Sequence, residues 1–257
     1  MSTQPLLGRT ALVTGGSGDI GTGIATLLAS AGADVAITYM GHTAGADASV
    51  EAIAGHGRRG TAIQLDQRDA ASIDACVQKL GDDMGGLDIL VNNAAWNIGI
   101  PFPDLEQLDA DIWDRISETN LRGPYLLARA FATMLKSNDE GRIGHIVNIA
   151  STGGIAPGSS SIAYSASKAG LIHLTRCLAV AMAPDVAVNC VAPGLVEDTR
   201  MALRVPDELA QRIRDETVLG RVGQIEDIAA QVLTFVTSTS ISGQVMAVDG
   251  GMPVAMR

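Results

Sequence analysis

Cysteine and aromatic residues are scarce in this 257-residue chain. The three cysteines are Cys76, Cys177 and Cys190, an odd number without any Cys-x-x-Cys spacing, which argues against a disulfide framework and a structural zinc site. His173 and Cys177 could share one helix face as metal ligands, but no third ligand lies nearby in the sequence. Ordinary helix packing explains the pair more simply, so we predict no metal.

Basic charge and long hydrophobic runs are also lacking. The chain has 18 Lys and Arg residues against 28 Asp and Glu residues, a net charge of -10 without a basic stripe, so we predict no nucleic-acid partner. The hydrophobic runs are far too short to span a membrane, and residues 1–5 lack the basic and then apolar layout of a signal peptide. We therefore predict a cytoplasmic protein without a membrane partner.

The chain shows no internal boundary. It has no Pro- or Ser-rich spacer, low-complexity tract or repeat, and 257 residues fit one large domain. Apolar runs typical of strands alternate with helical patterns, which predicts an α/β fold: a single doubly wound Rossmann domain over residues 1–257, with a parallel sheet of about seven strands flanked by helices. The predicted strands are residues 9–14, 34–39, 60–66, 87–91, 145–150, 185–191 and 245–251.

The first predicted strand runs into a glycine-rich turn, and apolar residues at helical spacing follow it. This arrangement lets the backbone approach a pyrophosphate, whose charge the helix N-terminus stabilises. The turn consists of Gly15, Gly16, Ser17, Gly18, Asp19, Ile20 and Gly21. Part of it looks like the Gly-x-Ser-x-Gly nucleophile elbow of serine hydrolases, but Asp19 occupies the place of the closing glycine, so a hydrolase is not expected.

Tyr164 and Lys168 are four residues apart, so in a helix they lie one turn apart on the same face. A fixed cation beside a phenol favours the phenolate, so we expect Lys168 to lower the pKa of Tyr164 from its usual value near ~10. Tyr164 would then serve as a general acid and base. A Tyr-x-x-x-Lys spacing also arises by chance, so the surrounding motifs decide its meaning.

Those motifs occur along the chain in the order Thr14 to Gly21, Asn92-Asn93-Ala94-Ala95, Asn120, Ser151, Tyr164 with Lys168, and residues 188–194. In order and spacing, the chain resembles the classical short-chain dehydrogenases/reductases from residue 8 to residue 251. The resemblance implies hydride transfer between a nicotinamide cofactor and a secondary alcohol/ketone pair. It assigns proton transfer to Tyr164 and a ribose contact to Lys168. Ser151 would hydrogen-bond the substrate carbonyl oxygen, and Asn120 would hold a water relay.

The same resemblance implies the cofactor contacts. Asp66, after the third strand, would bond the adenine, although a solvated Asp at a strand end is the alternative. Asp19 and Ala95 stand where relatives usually carry Gly, and Thr199 comes one residue later than the usual Thr beside the nicotinamide. The predicted contacts are Gly15, Ser17, Gly18, Asp19, Ile20, Gly21, Tyr39, Asp66, Gln67, Asn93, Ala94, Tyr164, Lys168, Pro193, Gly194 and Val196.

Residues 111–136 are predicted to form a long helix that contains Asn120 and Pro124. Proline has no N–H, so Pro124 cannot bond the carbonyl of Asn120 four residues earlier. In the family, that carbonyl holds a water that links the catalytic Lys to solvent, and here the sequence itself frees the acceptor. An ordinary helix kink is the alternative.

Two segments are candidates for surrounding the substrate. The apolar loop 96–102 leaves the carboxyl end of the fourth strand, and it either packs on the core or lines a pocket. Residues 195–219 are predicted to form a substrate lid. The predicted pocket residues are Trp96, Ser151, Ile155, Tyr164 and Leu195.

The second strand ends at Tyr39 without the acidic residue of NAD-specific relatives, so we predict a modest preference for NADP(H), with NAD(H) as the alternative. We predict a free small ketone or alcohol as substrate, because residues 178–183 lack the cation with which related reductases dock an acidic acyl carrier protein. A 3-oxoacyl-thioester reductase and a non-catalytic nucleotide-sensing Rossmann protein are the alternatives. From the resemblance we expect a homotetramer or homodimer.

Overall fold

Parallel strands form one seven-stranded sheet in the computed structural model, which describes residues 4–136 and 142–256. The strands are β1 (Thr10–Val13), β2 (Asp34–Tyr39), β3 (Gly60–Gln64), β4 (Ile89–Asn92), β5 (Gly144–Ile149), β6 (Val186–Pro193) and β7 (Val245–Val248). Each strand overlaps one predicted from the sequence, so the predicted α/β fold is confirmed. The prediction that residues 1–5 do not begin a signal peptide rests mainly on residues 1–3, which lie outside the described residues.

Helices cover both faces of this sheet. They are α1 (Asp19–Ser30), α2 (Thr43–Gly55), α3 (Ala70–Met84), α4 (Ala110–Ser117), α5 (Gly123–Ala130), α6 (Ala132–Lys136), α7 (Ile162–Ala181), α8 (Asp207–Glu216) and α9 (Ile225–Thr237). Across residues 4–136 and 142–256, no helix combines the length and the apolarity that a membrane crossing requires.

Successive side chains of the strands enter two cores, one on each face of the sheet. Val13 of β1 lies in one core with Ile24 of α1 and Phe235 of α9. Its neighbour Leu12 lies in the other core with Leu127 of α5. Because both faces are covered, the strands need apolar side chains at nearly every position, which explains their almost continuous apolar runs.

The strand order is β3-β2-β1-β4-β5-β6-β7. β1 therefore pairs with β2 on one side and with β4 on the other, and the chain winds outward from this point in both directions. In open α/β sheets, ligands bind where the order reverses, beyond the carboxyl ends of the strands. The segments that follow β1, β4, β5 and β6 meet at this edge.

The predicted long helix is not continuous. A π-helical turn over Glu118–Arg122 separates α4 from α5, and the Gly123 N–H donates to the carbonyl of Glu118, five residues earlier. Pro124 follows directly and brings no N–H of its own, so the regular α-helical ladder is interrupted here. Asn120 lies fully buried within this wider turn.

Candidate active site

The glycine-rich turn after β1 is tied to the loop after β4. Gly15 has a φ of 63°, and a Cβ built there would lie 2.9 Å from the Cα of Ala94, so only glycine fits. The Oγ1 of Thr14 accepts hydrogen bonds from the backbone N–H groups of Asn93 and Ala94, both at 3.0 Å. The Asn93 Nδ2 donates to the Thr14 carbonyl at 2.9 Å. Asn93 therefore positions the turn with its side chain.

The rest of the turn leads into α1, which begins with Asp19, Ile20 and Gly21. Gly21 is confined, because a Cβ built there would lie 2.8 Å from the Asn93 Nδ2. The carbonyl oxygen of Ser17 accepts a hydrogen bond from the Nδ1 of His42 at 2.9 Å. His42 belongs to the loop that follows Tyr39, the last residue of β2, so this bond connects the turn to the end of β2.

Ser151, Tyr164 and Lys168 converge beyond the carboxyl end of β5. Tyr164 and Lys168 lie in the first turns of α7, which Ser161 caps by accepting a hydrogen bond from the Tyr164 N–H. The hydroxyl of Ser151 lies near that of Tyr164, where it favours the charged form of the phenol. The Lys168 Nζ lies 5.6 Å from the centre of the Tyr164 ring and donates to the carbonyl of Ile149 at 2.7 Å. The structure thus brings together the three groups that the sequence singled out.

The expected lowering of the Tyr164 pKa is not found. Burial raises the pKa of this phenol to about 12, and the nearby Ser151 hydroxyl only partly opposes that rise. Burial also lowers the pKa of Lys168 to about 8, while the nearby Cys190 thiol acts in the opposite direction. Both shifts have one cause, since a buried site disfavours the charged form of either group. Tyr164 is therefore a neutral phenol around neutral pH.

Asn120 connects the π-helical turn to two other parts of the site. Its Oδ1 accepts a hydrogen bond from the Trp96 N–H at 2.8 Å. Its Nδ2 donates to the Trp96 carbonyl at 3.0 Å and to the Oγ of Ser167, on α7, at 3.2 Å. The side chain thus fixes the loop after β4 against α7, which sequence reasoning missed. Pro124 has no N–H to offer the Asn120 carbonyl, as the sequence predicted.

Asp66 and Gln67 lie beyond the end of β3. The carboxylate of Asp66 accepts hydrogen bonds from the Nε of Arg68 at 3.0 Å and from its Nη2 at 2.7 Å, and this pairing lowers the pKa of Asp66. The Gln67 Nε2 donates to the carbonyls of Thr119 and Ala94 at 2.6 and 3.2 Å. Sequence reasoning missed Arg68, because residues two apart give no periodic signal that they meet.

The segment after β6 is anchored to the end of the sheet. Pro193 is the last residue of β6, and the Gly194 N–H donates to a carbonyl of β7 at 3.0 Å. Val196 forms a parallel bridge with Gly223. The Thr199 hydroxyl donates to the Val196 carbonyl at 2.9 Å, so Thr199 stabilises the backbone of its own segment. The predicted cofactor residues Pro193, Gly194 and Val196 are therefore held in place.

Asp19 has a partner that the sequence did not reveal. Its Oδ2 accepts a hydrogen bond at 2.8 Å from the backbone N–H of Arg200, 181 residues later. The Nε of Arg200 lies 3.4 Å from the same oxygen. Arg200 belongs to the predicted lid, residues 195–219, which also contains α8. The first residue of α1 thus contacts this segment directly.

Three of the predicted pocket residues, Trp96, Ile155 and Leu195, lie outside the helices and strands defined above. The guanidinium of Arg115 lies over the Trp96 ring, with its carbon 4.1 Å from the ring centre. Ile100 is buried, and its N–H donates to a carbonyl in the loop before α7 at 2.8 Å, whereas Ile98 is 37% exposed. The loop 96–102 therefore packs on the core in part and is exposed in part. The remaining predicted pocket residues are Ile155, which is 37% exposed, and Leu195, which is half-buried.

These residues fit a dinucleotide cofactor. Most residues of the glycine-rich turn before α1 have no side chain, and Gly18 has none with which to cap this helix. The first N–H groups of α1 can therefore bind an anion. The ammonium of Lys168 has three N–H donors, one of which goes to Ile149. Within the described ranges, no group of three or more His, Cys, Asp or Glu residues lies close enough to hold a metal ion.

Known proteins resemble this chain along almost its whole length. The family model described as Enoyl-(Acyl carrier protein) reductase matches residues 16–253. The 3-oxoacyl-[acyl-carrier-protein] reductase FabG of Aquifex aeolicus is 37% identical, over 96% of this chain and 98% of that protein. The cis-4-hydroxycyclohexanecarboxylate dehydrogenase of Sinomonas cyclohexanicum is 34% identical, over 95% and 96%. A solved short-chain dehydrogenase of Burkholderia cenocepacia, in complex with NADP, superposes with a TM-score of 0.87 at 37% identity, over 96% and 99%.

Proposed function

Because the chain belongs to the short-chain dehydrogenase/reductase family and is an oxidoreductase of CH–OH and keto groups, we propose that it interconverts a free small ketone and its secondary alcohol. The observation that carries this proposal is the convergence of Ser151, Tyr164 and Lys168 beyond β5. A bound nicotinamide supplies or accepts the hydride, and the protein supplies position and charge. A nucleotide sensor would not need these three groups together, which favours an enzyme.

In this proposal, Tyr164 holds the proton that the reaction moves. With a pKa raised to about 12, the phenol keeps its proton at neutral pH and can donate it to the oxygen of a ketone. Ser151 hydrogen-bonds the same oxygen and orients the phenol. Lys168 stabilises the phenolate that remains and binds the cofactor ribose. The carbonyl of Asn120 holds a water through which Tyr164 regains its proton.

The edge where the strand order reverses would hold the cofactor. The backbone of the glycine-rich turn would bind its pyrophosphate, and the segment after β6 would bound its nicotinamide. The residues after β3 and β4 would contact its adenine. The proposed contacts are Gly15, Ser17, Gly18, Asp19, Ile20, Gly21, Tyr39, Asp66, Gln67, Asn93, Ala94, Pro193, Gly194 and Val196.

NADP(H) is the cofactor we propose, with a modest preference over NAD(H). The loop after Tyr39 contains no acidic residue that would repel a 2′-phosphate. The Nδ1 of His42 donates to the Ser17 carbonyl, which holds this ring between the glycine-rich turn and the end of β2, where the 2′-phosphate would bind. The Burkholderia cenocepacia relative is in complex with NADP.

The test is kcat/KM with NADPH and with NADH at saturating substrate, over a panel of ketones and alcohols, followed by cofactor absorbance. We expect an advantage for NADPH of about tenfold, or ~1.4 kcal/mol. A clear advantage for NADH would show that the missing acid does not decide the preference. Failure of every carbonyl and alcohol in the panel, together with failure to bind either cofactor, would overturn the proposed function.

A carrier-bound 3-oxoacyl chain is the second candidate substrate, since the Aquifex aeolicus relative is named for it. Two features favour a free substrate. Residues 178–183, where α7 ends, contain no cation, and Val180 is 81% exposed there. The net charge of -10 repels an acidic carrier protein. Reduction of a carrier-bound 3-oxoacyl chain well above that of its small thioester analogue would overturn this choice.

Location and assembly complete the proposal. A cytoplasmic location is in keeping with three free cysteines, two of them buried. A homotetramer or homodimer is proposed from the family resemblance. Light scattering after size-exclusion chromatography would give the subunit number, and a monomer at working concentration would contradict this part of the proposal.

A further inference from the structure

The start of α1 carries an unusual negative charge. Asp19 is the first residue of this helix, where a carboxylate is favourable because it opposes the helix dipole. The same helix N-terminus is where the cofactor pyrophosphate would bind, and that group is itself negative. A carboxylate beside a pyrophosphate repels it. Asp19 therefore stabilises the helix and disfavours the cofactor unless a cation neutralises it.

Arg200 supplies a cation at this place. Its backbone N–H and its Nε both donate to the Oδ2 of Asp19, at N···O distances of 2.8 and 3.4 Å. Its Nη2 lies 3.2 Å from the position of a Cβ built on Gly18, so the guanidinium extends along the glycine-rich turn. The positive charge thus lies beside both the carboxylate and the backbone that would meet the pyrophosphate.

The position of Arg200 is fixed by its own segment. Thr199, the preceding residue, is 4% exposed and accepts a hydrogen bond from the Ala202 N–H at 3.1 Å. Glu197 pairs with Arg214 of α8 at 3.0 Å. The backbone N–H of Arg200 can reach Asp19 only while this fold of the segment is in place, so the pair joins the lid to the glycine-rich turn.

Stability alone does not explain this pair. The side chains of Arg200 and Asp19 are 56% and 32% exposed, and ion pairs at such exposed positions contribute little to folding. The charge of Arg200 matters more when the cofactor pyrophosphate approaches Asp19. Two negative groups close together cost binding free energy, and Arg200 offsets that cost. Its effect is therefore expected in cofactor affinity.

We propose that Arg200 is the countercharge that allows a glycine-rich turn carrying Asp19 to bind the cofactor pyrophosphate, so that lid position and cofactor affinity are coupled through this pair. The inference rests on the cofactor site of the proposed function. It makes Arg200 a positioning and neutralising residue. Because the pyrophosphate is common to both nicotinamide cofactors, the effect must be the same for NADPH and NADH.

A double-mutant cycle on Asp19→Asn and Arg200→Gln tests this coupling. Dissociation constants for NADPH and NADH are measured without substrate, by quenching of the Trp fluorescence of each variant. We expect Arg200→Gln to weaken both cofactors about tenfold, and the double variant to return to within about threefold of the wild type. Raising the salt concentration should shrink the effect of Arg200→Gln, since screening reduces the repulsion by Asp19.

Arg204→Gln is the matched control, because it removes the same charge from the same segment at an exposed position. It should leave both dissociation constants unchanged. The inference would be overturned if Arg200→Gln weakened cofactor binding equally in the wild type and in the Asp19→Asn variant. Weaker binding of NADPH alone, or no change in either dissociation constant, would also overturn it. Absence of cofactor binding in the wild type would instead overturn the proposed function. Thermal melts of all variants show whether any loss of binding comes from unfolding.

Discussion

Burial sets the chemistry of the residues in this site. Tyr164 and Lys168 are 8% and 2% exposed, and the same loss of solvent moves the pKa of the phenol to about 12 and that of the amine to about 8. Sequence alone predicted the pair and its helical spacing. It could not predict the direction of the Tyr164 shift, because that direction depends on how far the fold removes water from each group.

Replacement of Tyr164 by Phe tests the proton-transfer role. The variant keeps the ring and loses only the hydroxyl, so we expect turnover to fall by ~10²- to 10⁴-fold while the cofactor dissociation constant stays nearly unchanged. Steady-state kinetics and a fluorescence titration give the two quantities. Tyr125→Phe, at an exposed tyrosine, is the matched control and should behave as the wild type. A Tyr164→Phe enzyme with more than about a tenth of the wild-type rate would refute the assignment.

His145 makes the stability of the fold depend on pH. It lies on β5, 2% exposed, and burial together with the nearby charge of Arg9 lowers its pKa to about 4. The unfolded chain takes up a proton near pH 6.5 and the folded chain only near 4, so stability is full above 6.5 and is lost as the pH falls through this window. At pH 5 the loss relative to pH 7 should be about 2 kcal/mol.

Urea unfolding of the wild type and of His145→Gln at pH 7 and pH 5 measures this loss. The difference in unfolding free energy between the two pH values should be smaller by about 2 kcal/mol in His145→Gln, whatever its absolute stability. His56→Gln, at an exposed histidine, should keep the wild-type difference. Equal pH dependence in His145→Gln and the wild type would show that His145 titrates normally in the folded state.

Secondary structure was predictable wherever one local signal dominates. The buried runs of β4 and β5 lack charged residues, so their strands were placed correctly from sequence, and the carboxyl-end position of Ser151 followed from β5. The π-helical turn was not predictable. Pro124 shows where an N–H is missing, but the sequence does not show that Gly123 donates to a carbonyl five residues back. Within the same turn, Asn120 is hydrogen-bonded to Trp96 and Ser167, contacts between segments that no local pattern shows.

Pro124→Ala tests whether the interrupted helix serves the reaction. Alanine restores an N–H that can bond the Asn120 carbonyl, which the proposed water relay needs as an acceptor. We expect turnover to fall about tenfold, with cofactor affinity unchanged and thermal stability equal or higher. Pro5→Ala, at an exposed proline outside the predicted lid and pocket, is the matched control and should leave turnover unchanged. If Pro124→Ala kept the wild-type turnover, the interruption of the helix would be an ordinary kink without a role in the reaction.

At the scale of the whole molecule, sequence reasoning predicted the fold and the motifs but not the contacts between distant segments. Asp19 was recognised as a departure from the family pattern, yet its partner Arg200 lies 181 residues later, far beyond the reach of any local sequence signal. Only the folded chain brings these exposed charges together. Net charge does not depend on such contacts, because it is the sum over all residues and can be counted from the sequence. It therefore supports the prediction that the chain does not dock an acidic carrier protein.

The charge argument against a carrier protein can be tested by adding the missing cation. Val180→Arg places a positive charge at the exposed end of α7, so reduction of a carrier-bound 3-oxoacyl substrate should rise about fivefold in kcat/KM, mainly at low salt. Reduction of the small thioester analogue should not change, since Val180 is not among the proposed pocket residues. Leu7→Arg makes the same charge change at another exposed position and should have much less effect. An equal gain from both variants would mean that net charge alone governs carrier access, and no gain from either would mean that charge does not limit it.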